Sequence, residues 1–531
     1  MSSTHETRLV AGETSVLEGA SAVVAGLGFL TFLFAWLTLS EVVSLETRVL
    51  GMGLFELLGL DLLVSGSGVL AFGVVSRAEF VETSPSDTAG LPAAIVFGSI
   101  GLAAGGIVAS QTFGFGFPGW LAIGVLTGGA SAAVTILPRE DIGSTVPAGV
   151  LAVAVGAVFL TGLIGPEWAW NPADFEATYT ARVVVPVLAV LCSLLVAWAS
   201  AKAYSGFGSR GRQNGAYFLI GVNAFAMLAV PLLLLAFVVR REWPRATAGI
   251  EIGPGVGPTV VFGLRLPFDW PFVMNVSQGI YADVPGVLPA IMGTAWLVIG
   301  AMLFAVPLGV GAAVFLTEYA EQGRFMSLVE VTTNGLWSTP SIVFGLFGLA
   351  FLVPRFGNTN SLFVGMVVLG FMLLPLVLIT SREALKSVPD EYRDASAALG
   401  VSQWETIKSV VLPAALPGVI TGVILGVGRI AGETAPILLV TGGSSFPSRT
   451  PQVLDSFQFS AMPPFVTNDA LLTAASALPY QLYATITAGV GAEDAQAFGW
   501  GTAFVLLLIV LSFYAVGIGL RTYFKRRLHH E

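Results

Sequence analysis

The stretch DASAALGVSQWETIKSVVLP, Asp394 to Pro413, is polar and rich in small residues, yet long apolar runs flank it on both sides. Its first half, with DEYR just before it, has good helix formers, and Ala395, Ala398 and Leu399 cluster on one side. Gly400 then predicts a break, because glycine adopts the left-handed backbone that ends one helix and redirects the next. SQWETIKSVV, residues 402–411, resumes as a second amphipathic helix, with Ser402 and Glu405 spaced as a capping box. Pro413 stops that helix and opens the following apolar run. The predicted product is a helix–turn–helix lying flat at a membrane surface.

The rest of the chain explains why a membrane is the right frame. Of 531 residues, 55% are hydrophobic and 11% charged, and the mean hydropathy is +0.83. A soluble protein cannot carry that much apolar surface with so few charges. A bilayer core of about 30 Å needs roughly 20 apolar residues per helix, and about twelve runs of that length occur. They lie near 18–40, 51–76, 91–110, 118–137, 145–165, 181–201, 214–239, 288–316, 331–353, 361–380, 414–440 and 498–520. The expected fold class is therefore an all-α polytopic membrane protein with about twelve transmembrane helices. The alternating ten-residue segments of a membrane barrel are absent.

Other chemistries are thinly supplied. Cys192 is the only cysteine and sits in an apolar run, which excludes an internal disulfide and a thiolate metal site. His5, His529 and His530 are terminal, so no metal site is expected. The net charge of -9 comes from acids in loops and termini, and no basic patch suggests nucleic acid. No cleavable leader is evident at the N-terminus. No G-x-x-x-x-G-K-[ST] occurs, so no cofactor is expected on this chain and any ATP would act through a partner subunit.

Arginine and lysine set the expected orientation. RTYFKRR, residues 521–527, is the strongest cytoplasmic signal, and with an even span count both termini are expected in the cytoplasm. The chain divides at KAYSGFGSRGRQNG, residues 202–215, a basic loop rich in Gly and Ser. Residues 1–205 are expected to be a six-span membrane extension, and 206–531 a second membrane domain. That domain carries a cytoplasmic loop, 381–413, and extracytoplasmic loops 240–287 and 441–497. The two halves do not read as repeats of each other. LLTAASALPYQLYATITAG, 471–489, is nearly long enough to cross, but Pro479, Gln481 and Tyr483 interrupt it. It is expected to be re-entrant or surface-lying. Glu56 and Asp61, in the second span, are expected to serve interhelical hydrogen bonding or to sit near the interface.

One later span carries two charges. GVILGVGRIAGETAPILLVTGG, 422–443, holds Arg429 and Glu433 four residues apart, on one face of a helix. Each costs about 2.5–3.5 kcal/mol at the bilayer centre, so neither is expected to face lipid. Gly426, Gly428 and Gly432 keep the helix slim, and Pro436 loosens it beyond. An ion pair that fixes helix packing is the plain reading. The other is a substrate pathway, since an arginine fork suits a tetrahedral oxyanion and a carboxylate accepts the proton that phosphate, unlike sulfate, still carries. Ser338, Thr339 and Ser341 flank Pro340 in a neighbouring run. Their hydroxyls satisfy freed carbonyls or contact the solute. Arg382 is a positive-inside anchor or a gate.

Asp394-Ala395-Ser396, three residues, Gly400, nine residues, then Val410-x-Leu412-Pro413 resembles the EAA loop of ABC importer permeases, with Asp394, Ser396 and Val410 as mild departures. GRIAGETAPIL (428–438), STPSIVFGLFG (338–348), the 288–320 run with its Pro-Leu-Gly and Glu-Tyr-Ala, and ITSREALKSVPDEYRDASAALG (379–400) resemble the A-type permease subunits of phosphate-specific ABC importers (PstA-like). The resemblance runs from about residue 211 to the C-terminus. It implies a six-helix ABC importer permease (MetI-like) core behind an N-terminal six-helix extension. It also implies phosphate import past Arg429, Glu433, Thr434, Ser338 and Ser341. ATPase coupling would pass through Asp394, Ala395, Ser396, Gly400, Val410, Leu412 and Pro413. Expected partners are a cytoplasmic ABC ATPase, a second, C-type permease and an extracytoplasmic phosphate-binding protein. Sulfate, molybdate and phosphonate remain open as substrates. An ion-coupled secondary transporter and a phosphate-signalling membrane scaffold remain open as classes.

Overall fold

The structure is a computed structural model that describes residues 16–49, 51–173, 176–258, 265–276, 286–321, 323–463, 465–488 and 493–530. His5 and part of the 240–287 loop named above lie outside the described residues. The chain forms two compact units, Met1–Leu235 and Ala236–Glu531.

The first unit holds α1 (Val16–Leu39), α2 (Leu54–Arg77), α3 (Leu91–Ile107), α4 (Phe117–Ile136), α5 (Glu140–Leu160) and α6 (Ala181–Tyr204). The first part of α7 (Gly208–Ala246) also belongs to it. The helices pair as α1 with α6, α2 with α5 and α3 with α4, each pair antiparallel. Lipid tails are as apolar as leucine, so these pairs are held by close approach rather than by exclusion of water. Small residues make the approach possible. A Cβ on Gly66 would lie 2.9 Å from that of Ala152, and one on Gly149 would lie 2.8 Å from the Gly66 carbonyl oxygen. Leu58, Leu62, Phe159, Val196 and the buried thiol Cys192 fill the space between. Short strand pairs join α1 to α2 (β1, Arg48–Val49; β2, Met52–Gly53) and α5 to α6 (β3, Ala169–Trp170; β4, Tyr179–Thr180). The two acids of the second span separate in role. Thr31 of α1 donates to Asp61, an interhelical bond, while Glu56 accepts from the Gly53 N–H at 3.3 Å at the start of α2.

The second unit contains the end of α7 and a short strand pair, β5 (Glu251–Ile252) and β6 (Phe268–Asp269), followed by a one-turn helix, α8 (Pro271–Met274). Then come α9 (Leu288–Val314), α10 (Arg324–Ser338), α11 (Ser341–Phe347), α12 (Leu362–Lys386), α13 (Asp390–Ala398), α14 (Gln403–Thr406), α15 (Leu412–Ala431) and α16 (Ala435–Val440). A hairpin, β7 (Phe457–Phe459) with β8 (Val466–Asn468), precedes α17 (Leu478–Ala488) and α18 (Glu493–His530). Ser361 caps α12 by accepting from the Val364 N–H at 3.4 Å.

Among the described residues, 11 helices are long and apolar enough to cross a membrane, and α10 with the segment Ser341–Arg355 makes a twelfth only as a pair bent by 99°. This corrects the expectation of one straight span at 331–353. Thr339 and Pro340 interrupt the helix there, Pro340 lacking an N–H to continue the ladder. Packing shows that the bent pair still crosses. Gly300 of α9 lies against Met366 of α12 and Gly309 against Val377, so the two helices run parallel. The chain must therefore return to its starting face between them. Met326 at the start of α10 packs with Leu316 and Leu378, whereas Gly345 and Gly348, beyond the bend, meet Pro436 and Val440. α12 and α15 are antiparallel, with Gly418 on Ala384 and Gly426 on Leu373. α15 and α18 are antiparallel in turn, with Gly428 on Tyr514 and Gly517 on Ile424.

The segment 471–489 is described as far as 488, as an extended run and α17, which is 11 residues long and too short to span. Gln481 and Thr485 are buried, and the Leu478 N–H donates to Thr294 Oγ1 of α9 at 2.9 Å. One face of the element thus packs on α9 and α18, while Tyr483 and Ile486 are exposed on the other.

Candidate functional site

Two sites of the second unit stand out, one at the loop joining α12 to α15 and one where α10 and α15 are interrupted. At the loop, α13 and α14 form the expected helix–turn–helix. Gly400 sits between them with φ +74°, and a Cβ there would meet nothing within 4 Å. The requirement for glycine is therefore one of backbone conformation, not space. Ser402 accepts from the Glu405 N–H at 3.4 Å, but the Glu405 carboxylate turns away to accept from Ser409 Oγ at 3.1 Å. The expected capping box is thus only half formed. After α14 the chain widens into a single π turn, Ile407–Val411, before α15 begins.

A brace that the sequence reading missed fixes this loop to α9. Arg393 Nη2 donates to Glu318 Oε1 at 2.8 Å, and the Glu318 side chain is only 7% exposed. Arg393 also donates to the carbonyls of Val388 and Leu385, and Gln403 Nε2 donates to the Glu318 carbonyl at 2.6 Å. The hydrogen bonds that Arg393 donates to Glu318 raise its pKa above the ordinary arginine range. The signal was present in the sequence as the Glu of the Glu-Tyr-Ala exit of α9, but its partner lies 75 residues away. Ser396 and Val411 turn inward, and Val410, Leu412 and Pro413 are half-buried, whereas Asp394, Ala395 and Gly400 face out. The outer face of the loop sets two large apolar side chains among exposed Asp394, Glu405 and Lys408. Leu399 is 83% exposed and Trp404 60%.

At the second site, α15 ends at Ala431 and α16 begins at Ala435, leaving Gly432, Glu433 and Thr434 out of the helix. The helix expected to run unbroken to 440 is interrupted before Pro436. Across this gap Arg429 Nε and Glu433 Oε1 are 3.8 Å apart, with the arginine more exposed than the carboxylate. The guanidinium lies over the Trp337 ring, 4.2 Å from its centroid. Stacking of this kind contributes about 0.5–2 kcal/mol. Trp337 ends α10 beside the bend, so Ser338, Thr339 and Ser341 are brought near Arg429 by neighbourhood. Ser338 and Thr339 both donate to the Gly335 carbonyl, at 3.0 and 2.8 Å, which answers the carbonyl expectation for these two hydroxyls. Ser341 opens α11 and is half-buried, as is Thr434. Trp337 was not singled out from the sequence, and its neighbour Pro340 was the clue.

Arg382, expected as an anchor or gate, turns inward. Its Nη1 donates to Glu330 Oε1 of α10 at 2.7 Å, and the arginine side chain is 12% exposed. Leu316, Thr333, Asn334 and Lys386 line a polar cavity of about 200 Å³ beside this pair.

The family model described as "Binding-protein-dependent transport system inner membrane component" matches residues 305–530. The chain is 33% identical over 259 residues to "Probable ABC transporter permease protein YqgI" of Bacillus subtilis (strain 168), covering 48% of this chain and 84% of that one. It is 33% identical over 241 residues to "Phosphate transport system permease protein PstA" of Xylella fastidiosa (strain 9a5c), covering 45% and 75%. A solved structure of the MetNI methionine ABC transporter in inward-facing form is 17% identical, covers 44% of this chain and 93% of its own, and superposes with a TM-score of 0.34. With the span count and the loop architecture, these relatives show that the chain belongs to the binding-protein-dependent transport-system inner membrane components, the permease subunits of ABC importers.

Proposed function

We propose that this permease carries phosphate, and that Arg429 and Glu433 form its recognition point in the membrane. The observation that carries this reading is the meeting of a stacked arginine and a carboxylate at a level where two helices are interrupted. At 3.8 Å the ion pair is looser than a hydrogen bond, so the guanidinium is free to turn its paired donors to an oxyanion while Trp337 holds its plane. Glu433, relieved of the arginine, accepts the proton that hydrogen phosphate retains. Sulfate offers no such proton, and its approach to the carboxylate is repulsive. Thr434, Ser338 and Ser341 are the hydroxyls within this neighbourhood. Relatives named as phosphate permeases support the same substrate.

Energy enters through a separate cytoplasmic ABC ATPase that seats against the exposed tip of α13 and α14. The Arg393–Glu318 brace passes the movement to α9. Arg382 and Glu330 act as a gate between α10 and α12. Both termini and the 381–413 loop face the cytoplasm of a cell membrane, and the opposite face receives an extracytoplasmic phosphate-binding protein. A second permease, of the C type, completes the pathway. The decisive experiment reconstitutes the copurified complex in liposomes and measures ATP-driven uptake of phosphate against sulfate, molybdate and phosphonate. Preference for phosphate that disappears in Glu433→Gln supports the reading. Equal uptake of sulfate, or uptake without any ATPase, sinks it.

A further inference from the structure

The helices of the first unit correspond in pairs. Ten buried positions of α2, Leu54, Leu58, Gly59, Leu62, Ser65, Gly66, Val69, Phe72, Gly73 and Ser76, fall on buried positions of α6. Their counterparts, at one constant shift, are Ala181, Val185, Pro186, Ala189, Cys192, Ser193, Val196, Ala199, Ser200 and Ala203. At a shift six residues shorter, α1 falls on α5, the difference being absorbed in the longer second strand pair. The close approaches correspond. Gly28 meets Ala197 and the Ser193 carbonyl, and its counterpart Gly149 meets Leu70 and the Gly66 carbonyl.

The irregular backbone corresponds as well. Leu54 N–H to Thr47 carbonyl is matched by Ala181 N–H to Trp168 carbonyl, both 2.8 Å. Phe80 N–H to Val75 carbonyl is matched by Phe207 N–H to Lys202 carbonyl. Positive φ falls at Glu41 and Gly162, and again at Glu79 and Gly206. Because α1 packs on α6 as α5 packs on α2, a two-fold axis along the helices exchanges the copies. Parallel repeats in membrane proteins are related by such an axis.

The repeat acts as an internal control. A polar residue whose counterpart is apolar is not demanded by the fold. The second copy carries a buried ionic cluster. Glu140, 0% exposed, pairs with Lys202 Nζ at 2.8 Å, and Lys202 donates to Ser144 Oγ at 2.7 Å. The counterparts of Glu140, Lys202 and Ser144 are Gly19, Val75 and Val23. In the first copy this corner is open: Gly19 and Val23 are exposed, Val23 at 63%, and Val75 is half-buried. Glu140 Oε2 accepts from the N–H groups of Ser86 and Gly208, both at 3.0 Å, and from Arg212 Nη1 at 3.3 Å. Gly208 and Arg212 lie in the first turns of α7. We propose that residues 16–77 and 140–204 are two copies of one helix–hairpin–helix module, and that the Glu140–Lys202–Ser144 cluster of the second copy is a tether for the start of α7 rather than a requirement of the module's fold.

The test puts the first copy's residues into the second, as Glu140→Gly, Ser144→Val and Lys202→Val together in the full chain. Trypsin cleavage after Arg210 and Arg212 reports release of the α7 start, because cleavage follows local opening. The triple variant is expected to insert, run as a single species in detergent and keep its helix content, while cleavage there rises by about tenfold or more. The reversed pair Glu140→Lys with Lys202→Glu is expected to restore protection in part. A triple variant that aggregates shows the cluster to be part of the fold and overturns the proposal. So does a folded triple variant with unchanged cleavage. Neither readout depends on which solute is carried.

Discussion

Gly400 gives the sharpest prediction, because its cost is separable into parts. Its φ of +74° places it in the left-handed region, and a Cβ would touch nothing in the chain. Alanine there costs only the left-handed penalty, about 1–2 kcal/mol. That shifts the loop away from its observed form by a factor of about 5–30. Asparagine tolerates this region and is expected to lose little. Valine, branched at Cβ, is expected to lose the most. The assay is the affinity of the ATPase for detergent-solubilised permease, followed by ATP-driven uptake in liposomes. The expected order is glycine, asparagine, alanine, valine, with the alanine variant weakened by about 5–30-fold and membrane insertion unchanged. If Gly400→Val couples as well as the native chain, or Gly400→Asn fails as badly as Gly400→Val, the backbone argument is wrong. A loss in Gly400→Ala far beyond that range points instead to a partner surface packed against the space a Cβ would fill.

Arg429→Gln is expected to reduce phosphate uptake at least about tenfold while the complex still copurifies, and Arg429→Lys to recover little, because a point charge lacks the paired fork. Unchanged uptake in Arg429→Gln leaves the pair with Glu433 structural only. Glu318→Gln strips the charge from a nearly buried partner of Arg393 and is expected to cost about 2–3 kcal/mol locally, read as faster amide exchange across residues 390–411. Exchange confined to 315–320 contradicts the brace. Gly422→Leu drives a side chain into Thr380 at the α12–α15 crossing and is expected to cost about 1–3 kcal/mol in thermal stability, against no change at open Gly311→Leu. The exchange Arg382→Glu with Glu330→Arg is expected to recover uptake lost in either single variant, and failure to recover removes the gate.

The long helices were legible because apolar length is a strong signal, and eleven of the expected spans appear where the runs lie. The helix–turn–helix of α13 and α14 was legible from local chemistry alone, through the alanine cluster, Gly400 and Ser402. What escaped needs partners distant in sequence. Trp337 stacks on Arg429 from 92 positions away, and nothing local marks a tryptophan as a platform. Pro340 was visible, but whether proline kinks a helix gently or by 99° depends on what packs beyond it, here Pro436 and Val440. The Glu140–Lys202 cluster escaped for the same reason. Each residue sits at the end of its own span, where a charge reads as ordinary, and only the fold buries them together.

The interruption of α10 and of α15 at one level has a consequence for hydration. Each break ends a helical ladder that lipid tails cannot complete, and local partners take over: Ser338 and Thr339 donate to the Gly335 carbonyl, and the Gly432 and Glu433 N–H groups donate to the carbonyls of Arg429 and Ile430. Ser338 is exposed beside Trp337, with Glu433 half-buried across from them, polar groups that call for water or a polar partner rather than lipid tails. On the pathway proposed above, a charged solute would meet polar groups at this collar in place of the water it left behind.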